Sequence, residues 1–206
     1  MRFARAFWDR TSRSPRLRWR FRLRFLSWAP CVRQSFFENM KPQNSGPVIR
    51  AGIFLGIGLG GFLDGIILHQ ILQTHSMLSG KLGLDTLSAV KVSMFWDGLF
   101  HAFTWLMTTI GIALLWRAAR DPAALWSGKM LVSAQLVGWG GFNLLEGIVD
   151  HHILHAHHVV ERLGVSMFDY GFLLLSALMV MIGWFGIRSA EANSGGVPAK
   201  ASGSTV

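Results

Sequence analysis

Cysteine is almost missing from this chain. Cys31 stands alone among 206 residues, which excludes an intramolecular disulfide and any cysteine-based zinc cluster. Charge is scarce too: 15% of residues are charged against 51% apolar, low for a soluble protein of this length. Acids are scarcest where bases are densest, since 12 of the 20 Lys and Arg precede residue 51, facing only Asp9 and Glu38. The net charge of +9 therefore belongs to one segment, and the rest of the chain is close to balanced. No recognisable nucleic-acid-binding module accompanies that segment, so no nucleic-acid partner is expected. No Ser-His-Asp spacing or nucleophile motif stands out either, which leaves open whether the protein is an enzyme.

What the chain has instead is long apolar runs. Four of them, at about 49–72, 93–116, 130–155 and 167–188, have the roughly 20 residues needed to cross a hydrocarbon core about 30 Å thick. Trp96, Trp116, Trp126 and Trp184 fall near their ends, where interfacial aromatics belong. The expected fold is all-α, an integral membrane four-helix bundle in the lipid bilayer. Lys41, Arg50, Arg117, Arg120, Lys129, Arg188 and Lys200 flank one set of helix ends. Lys81, Lys91 and Arg162 flank the other, partly offset by Asp85 and Glu161. The positive-inside rule then puts both termini in the cytoplasm.

Three regions follow: an Arg-rich, disordered extension over 1–47, a four-span domain over 48–188, and a disordered tail over 189–206. From Arg16 to Phe25, Arg alternates with Leu, Trp and Phe, a period of two that suits neither a spanning helix nor a secretory signal. Three readings of residues 1–39 stand: a cationic membrane-surface arm, an Arg-rich targeting segment, or sequence translated upstream of a start at Met40.

The first and third runs resemble each other. Asp64-Gly65-Ile66-Ile67-Leu68-His69 and the residues to His75 align without gaps to Glu146-Gly147-Ile148-Val149-Asp150-His151 and the residues to His157. The second and fourth match more weakly, Phe95-Trp96-Asp97 facing Met167-Phe168-Asp169. A duplicated two-helix hairpin is the simplest reading, with parallel copies about an axis along the membrane normal.

All eight histidines fall between 69 and 158. On an ideal helix Asp64 shares a face with His75, and Glu146 with Asp150 and His157. Asp97 and His101 share one as well, and the fourth helix adds Asp169. By the same geometry His69 and His151 lie about 140° from their acids and address another neighbour or layer. His155 and His158 are expected to be solvated at a helix end, and His152 to face headgroups. With the inferred orientations, all the candidates fall in the non-cytoplasmic half of the bilayer. An isolated ionised group at mid-bilayer costs roughly 2.5–3.5 kcal/mol, so these groups need partners.

The candidate metal ligands are Asp64, His69, His75, Asp97, His101, Glu146, Asp150, His151, His157 and Asp169. Such a set suits a transition metal such as copper, iron or zinc, or haem with histidine axial ligands. Met77, Met94 and Met167 near the outer ends tilt the inventory slightly toward copper. Alternatively the same groups form a proton or ion relay in a transporter, or a polar network in a structural subunit of a larger complex. Gly56-Ile57-Gly58-Leu59-Gly60-Gly61 contains G-x-G-x-x-G, but inside a spanning helix it is no dinucleotide fingerprint. Gly52, Gly56 and Gly60 instead predict close helix packing.

Gly61-Phe62-Leu63-Asp64-Gly65-Ile66-Ile67-Leu68-His69-Gln70, Trp96-Asp97-Gly98-Leu99-Phe100-His101 and the segment from Phe142 to His152 together resemble a family of predicted bacterial membrane proteins, domain of unknown function 2243. The likeness covers about 48–188 and leaves out the Arg-rich first 39 residues. It implies a four-span inner-membrane protein and supplies no activity. It also implies a setting beside cytochrome oxidase assembly factors, which fits copper or haem handling and respiratory-complex or assembly proteins as partners.

Overall fold

A computed structural model describes residues 43–195; the expectations for residues 1–39 lie outside them. Four long helices make up the described chain. α1 spans Gly46–Asp64 and continues as a π-helical turn over Gly65–Ile71. α2 spans Leu87–Ala119. α3 spans Gly128–Glu146 and also ends in a π-helical turn, Gly147–Ile153. α4 spans Met167–Gly195, so the helix runs past the expected end at 188.

The helix starts are written in the sequence. Pro47 sits in the first turn of α1, where its missing N–H costs nothing. Thr86 Oγ1 accepts the Ala89 amide at 3.3 Å and Ser127 Oγ the Met130 amide at 3.3 Å, capping α2 and α3.

Extensive contacts join α1 to α2, α1 to α3 and α3 to α4, so α1 and α3 form a central pair. They approach closely because both carry glycine where they cross. A Cβ on Gly56 would overlap the Gln135 backbone, and one on Gly138 the Ile53 backbone. The glycine spacing thus does what it predicts, with Gly52 against Ala134 and Gly60 against Trp139.

The interior carries many polar groups beside an apolar cluster of Val48, Ala118, Leu125, Met130 and Ala190, and the exterior is apolar. Asp64, His69, Asp97, Thr104, Glu146, His151, His157, Asp169 and Ser176 are buried, whereas Leu59, Phe95, Trp105, Leu174 and Phe185 are exposed. In water each such exposed side chain would forgo roughly 1.5–3 kcal/mol of burial. Against lipid tails that loss vanishes, and polar groups gain by turning inward.

Gly46–Ile71, Leu87–Ala119 and Met167–Ser194 are long and apolar enough to cross a membrane. The run expected at 130–155 is helical over 128–153 but falls short on apolarity. Gln135, Asn143, Glu146, Asp150 and His151 interrupt it, a composition fitted to the helix held between α1 and α4.

One end of the bundle gathers residues 43–45, the α2–α3 connection and the end of α4. The Asn44 amide donates to Ala123 O at 2.7 Å, and Ser45 Oγ donates to Glu191 at 2.7 Å. Arg120 and Arg188 lie over Trp116 and Trp184 at 4.4 and 5.0 Å from the ring centroids. At the other end the two remaining connections are tied together. Gly80 N donates to Ala156 O at 2.8 Å, Glu161 N to Thr74 O at 3.2 Å, and Ser79 Oγ to Glu161 at 2.9 Å.

Candidate metal centre

The π-helical turns change which residues meet. In a π turn the backbone bonds five residues back instead of four, and here Leu72 N donates to Ile67 O at 2.8 Å and Leu154 N to Val149 O at 2.7 Å. A side chain five residues beyond an acid then rises over that acid. His69 Nε2 stands 3.3 Å from Asp64 Oδ2, and ligand atoms of Glu146, His151 and His157 lie within 4.8 Å of one another. The expected separation of about 140°, drawn from ideal α geometry, does not hold at either place.

Beyond each π turn the chain reverses at a residue with positive φ, Gln73 at 51° and His155 at 48°. This conformation costs a non-glycine residue roughly 1–2 kcal/mol. The reversal folds His75 and His157 back over the helix ends, where both are buried. Their imidazoles stack 4.7 Å apart with planes 2° from parallel.

Three of the four inner histidines are hydrogen-bonded through Nδ1, and the fourth brings the same nitrogen close to a carboxylate. His69 Nδ1 lies 3.1 Å from Asp97 Oδ1 in a hydrogen bond, and His151 Nδ1 lies 3.1 Å from Asp169 Oδ1 as an ion-pair contact without hydrogen-bond alignment. His75 Nδ1 meets Val159 O at 3.2 Å, and His157 Nδ1 meets Met77 O at 3.4 Å. The two aspartates are fixed in turn, because Asp97 accepts the Met77 amide at 2.8 Å and Asp169 the Val159 amide at 3.1 Å. In His69, His75 and His157 Nδ1 is thus hydrogen-bonded, which leaves Nε2 for another partner. Carboxylate or carbonyl anchoring of the far nitrogen is how metal-ligating histidines are oriented.

Several inward atoms have no hydrogen-bond partner: Asp64 Oδ2, His69 Nε2, Glu146 Oε2 and His157 Nε2. Buried polar atoms left so cost about 1–3 kcal/mol each. The close pairs, 3.3 Å for Asp64–His69 and 3.6 Å for Glu146–His157, match the spacing of about 3.4 Å between ligands that each stand about 2.1 Å from a tetrahedral ion. Ring nitrogens of His69, His75 and His157 form a second convergent set within 4.8 Å, overlapping the Glu146 set at His157.

Protonation differs between the two stacked rings. Burial, then the neighbouring His157 and His69 imidazoles, push His75 down to about 3, so its lone pair is free at neutral pH. Burial opposes charge on His157 as well, but the adjacent Glu146 carboxylate outweighs it and holds that ring above the ordinary imidazole range.

Eight of the ten sequence-derived ligands therefore meet: Asp64, His69, His75, Asp97, Glu146, His151, His157 and Asp169. Two do not join them. His101 turns Nδ1 to the Asp97 carbonyl at 2.7 Å and packs against Gly65 and Phe62. Asp150 is half-buried beside a cavity of about 240 Å³ that Met77, Phe142 and Glu146 also line. His158, expected in solvent, is buried with Nδ1 3.5 Å from Asp169 Oδ1. Its neighbour Glu161 accepts the His158 amide at 3.0 Å. No linear spacing marks either, since both depend on how the 154–166 connection folds. His155 is exposed, as expected.

An all-helical chain with a lipid-type exterior and a polar interior belongs to the class of helical membrane proteins. The model of a family described as "Predicted membrane protein (DUF2243)" matches residues 51–190, most of the chain, and the protein is a member of that family. No curated protein and no solved structure matches the chain.

Proposed function

We propose that this protein binds a transition metal ion in the histidine–carboxylate cluster at one end of its bundle. The carrying observation is the convergence of buried, unpartnered Asp64 Oδ2, His69 Nε2, Glu146 Oε2 and His157 Nε2 beneath histidines whose other nitrogen is already anchored. Imidazole with carboxylate suits iron, zinc or copper. An ion fits this packing better than haem: His75 lies 4.5 Å from His69 and 4.7 Å from His157 between ring centroids, which leaves no gap for a macrocycle between facing imidazoles.

The reading includes a fourth span, Gly128–Ile153, shielded by α1 and α4. Both termini lie in the bacterial cytoplasm, where Arg50, Arg117, Arg120 and Arg188 would follow the positive-inside rule, and the cluster lies toward the opposite face. It also includes duplication of an ancestral hairpin. Asp64 and Glu146, the two π turns, Gln73 and His155, and Gly56 and Gly138 recur at one constant interval. Redox chemistry, or metal handling during respiratory oxidase assembly, is the setting that such a site suits.

Elemental analysis of protein purified from membranes tests this. At least near-stoichiometric iron, zinc or copper, lowered in Asp64→Asn and in His157→Gln, is the expected result. Protein without metal, even after incubation with each ion, would overturn it. A proton or ion relay is the second reading, favoured by the unbroken succession Asp97–His69–Asp64; transport that survives chelation but not Asp64→Asn would select it.

A further inference from the structure

We infer that the cluster holds two metal ions, one on Asp64, His69 and His75 and the other on Glu146, His151 and His157. This inference rests on the metal-binding reading of the site and extends it to stoichiometry and ligand assignment.

The two sets correspond residue by residue. Each has an acid at the end of a central α-helix and a histidine raised over it by a π turn. Each has a second histidine delivered by the reversal at Gln73 or His155. The support is matched as well. Asp97 backs His69 and takes the Met77 amide, while Asp169 backs His151 and takes the Val159 amide. The connections cross over, so that His75 meets the Val159 carbonyl and His157 the Met77 carbonyl. An approximate two-fold axis therefore passes between His75 and His157, and an arrangement that ligates an ion on one side recurs on the other.

The ring planes do not suit a single ion on that axis. Imidazole lone pairs lie in the ring plane, and the His75 and His157 planes are parallel within 2° at 4.7 Å. Parallel planes do not intersect, so the two rings as placed cannot aim at one ion midway between them. Each lies nearer the π-turn histidine of its own side, 4.5 Å for His69–His75 and 4.8 Å for His151–His157 between ring centroids, against 5.9 Å for His69–His157 and 6.4 Å for His75–His151.

Charge points the same way. Asp64, Asp97, Glu146 and Asp169 are all buried. Two divalent cations balance four carboxylates. A single one leaves two uncompensated negative charges, unless protons take its place, in a region where burial of charge is costly. Two histidines and one carboxylate per ion form a facial triad with open positions, and neighbouring ions so held clamp an oxygen-containing ligand between them. The ligand class is thus two divalent first-row ions, with room for a bridging water or small oxyanion.

The test is titration of the metal-depleted, full-length protein in detergent with Co²⁺, read by visible absorption, alongside Zn²⁺ bound per chain in equilibrium dialysis. Saturation at two equivalents is expected, falling to one in His69→Asn and in His151→Asn, with helicity by circular dichroism matching the parent. Saturation of the parent at one equivalent would overturn the two-ion assignment and leave the metal-binding reading standing. No binding would overturn both. Where a variant loses helicity, the Zn²⁺ count on the unmodified protein still decides.

Discussion

His69 Nδ1 and Asp97 Oδ1 lie 3.1 Å apart, and the same aspartate oxygen takes the Met77 amide at 2.8 Å. One carboxylate thereby ties the π turn of α1, the connection that follows it and the second helix to a single point. Removing the charge while keeping the shape should leave the fold and loosen the ring. Asp97→Asn is expected to weaken metal affinity by about 10–100-fold, the usual effect of losing such a partner. Competition against a chromophoric chelator measures it, and an affinity equal to the parent's would show that Asp97 does not orient His69.

The crossing of α1 and α3 makes a stability prediction independent of metal. A Cβ at Gly56 or Gly138 meets the backbone of the partner helix, whereas one at Gly141 meets nothing within 4 Å. Gly56→Ala and Gly138→Ala should each destabilise the protein by about 1–3 kcal/mol, as overpacking does. Gly141→Ala should be neutral or slightly stabilising, since alanine is the better helix former. Thermal unfolding in detergent separates them, and equal Tm values for the three variants would contradict the close crossing.

His75 gives a pH signature. Its pKa is near 3 in the folded protein against an ordinary 6.5, so between those values the unfolded chain takes up a proton that the folded one refuses. Stability of the metal-free protein therefore falls through this term as pH drops from about 6.5 toward 3. His157, raised by Glu146, works the other way: its contribution is present below 6.5 and is lost as pH rises through its folded value. His75→Gln should flatten the decline on the acidic side. An identical pH–stability curve for parent and variant would show that His75 is not held neutral.

The two histidines on either side of the expectation should differ in effect. His101 bonds its own helix backbone at 2.7 Å and stands apart from the inner four. His101→Gln is expected to leave metal content unchanged, while His157→Gln lowers it by removing a ligand of the Glu146 set. Elemental analysis of the pair of variants checks this, and loss of metal in His101→Gln would place that ring in the site.

Much of this was legible in the sequence. Hydropathy marked the helical runs, and the gapless match between the Asp64 and Glu146 segments pointed to acids and histidines in equivalent places. What eluded the linear pattern was the π turn. Ideal α geometry separates Asp64 from His69, and only one extra residue per turn brings them to 3.3 Å. No residue type announces that change, and the Gly65 and Gly147 that open the two turns read in sequence only as sites of close packing. His158 was missed for a related reason: its burial against Asp169 depends on a connection whose path the spacing does not encode. The third run shows the opposite case, where Asn143 and Glu146 lower the apolarity of a helix that its neighbours then enclose.

Anomalous X-ray scattering from crystals of the zinc-loaded protein locates the ions themselves. Anomalous density is expected within about 2.0–2.2 Å of His69 Nε2 and Asp64 Oδ2, with a matching peak beside Glu146 and His157. Zinc density confined to surface residues, with the space between Asp64 and His157 empty, would contradict that placement.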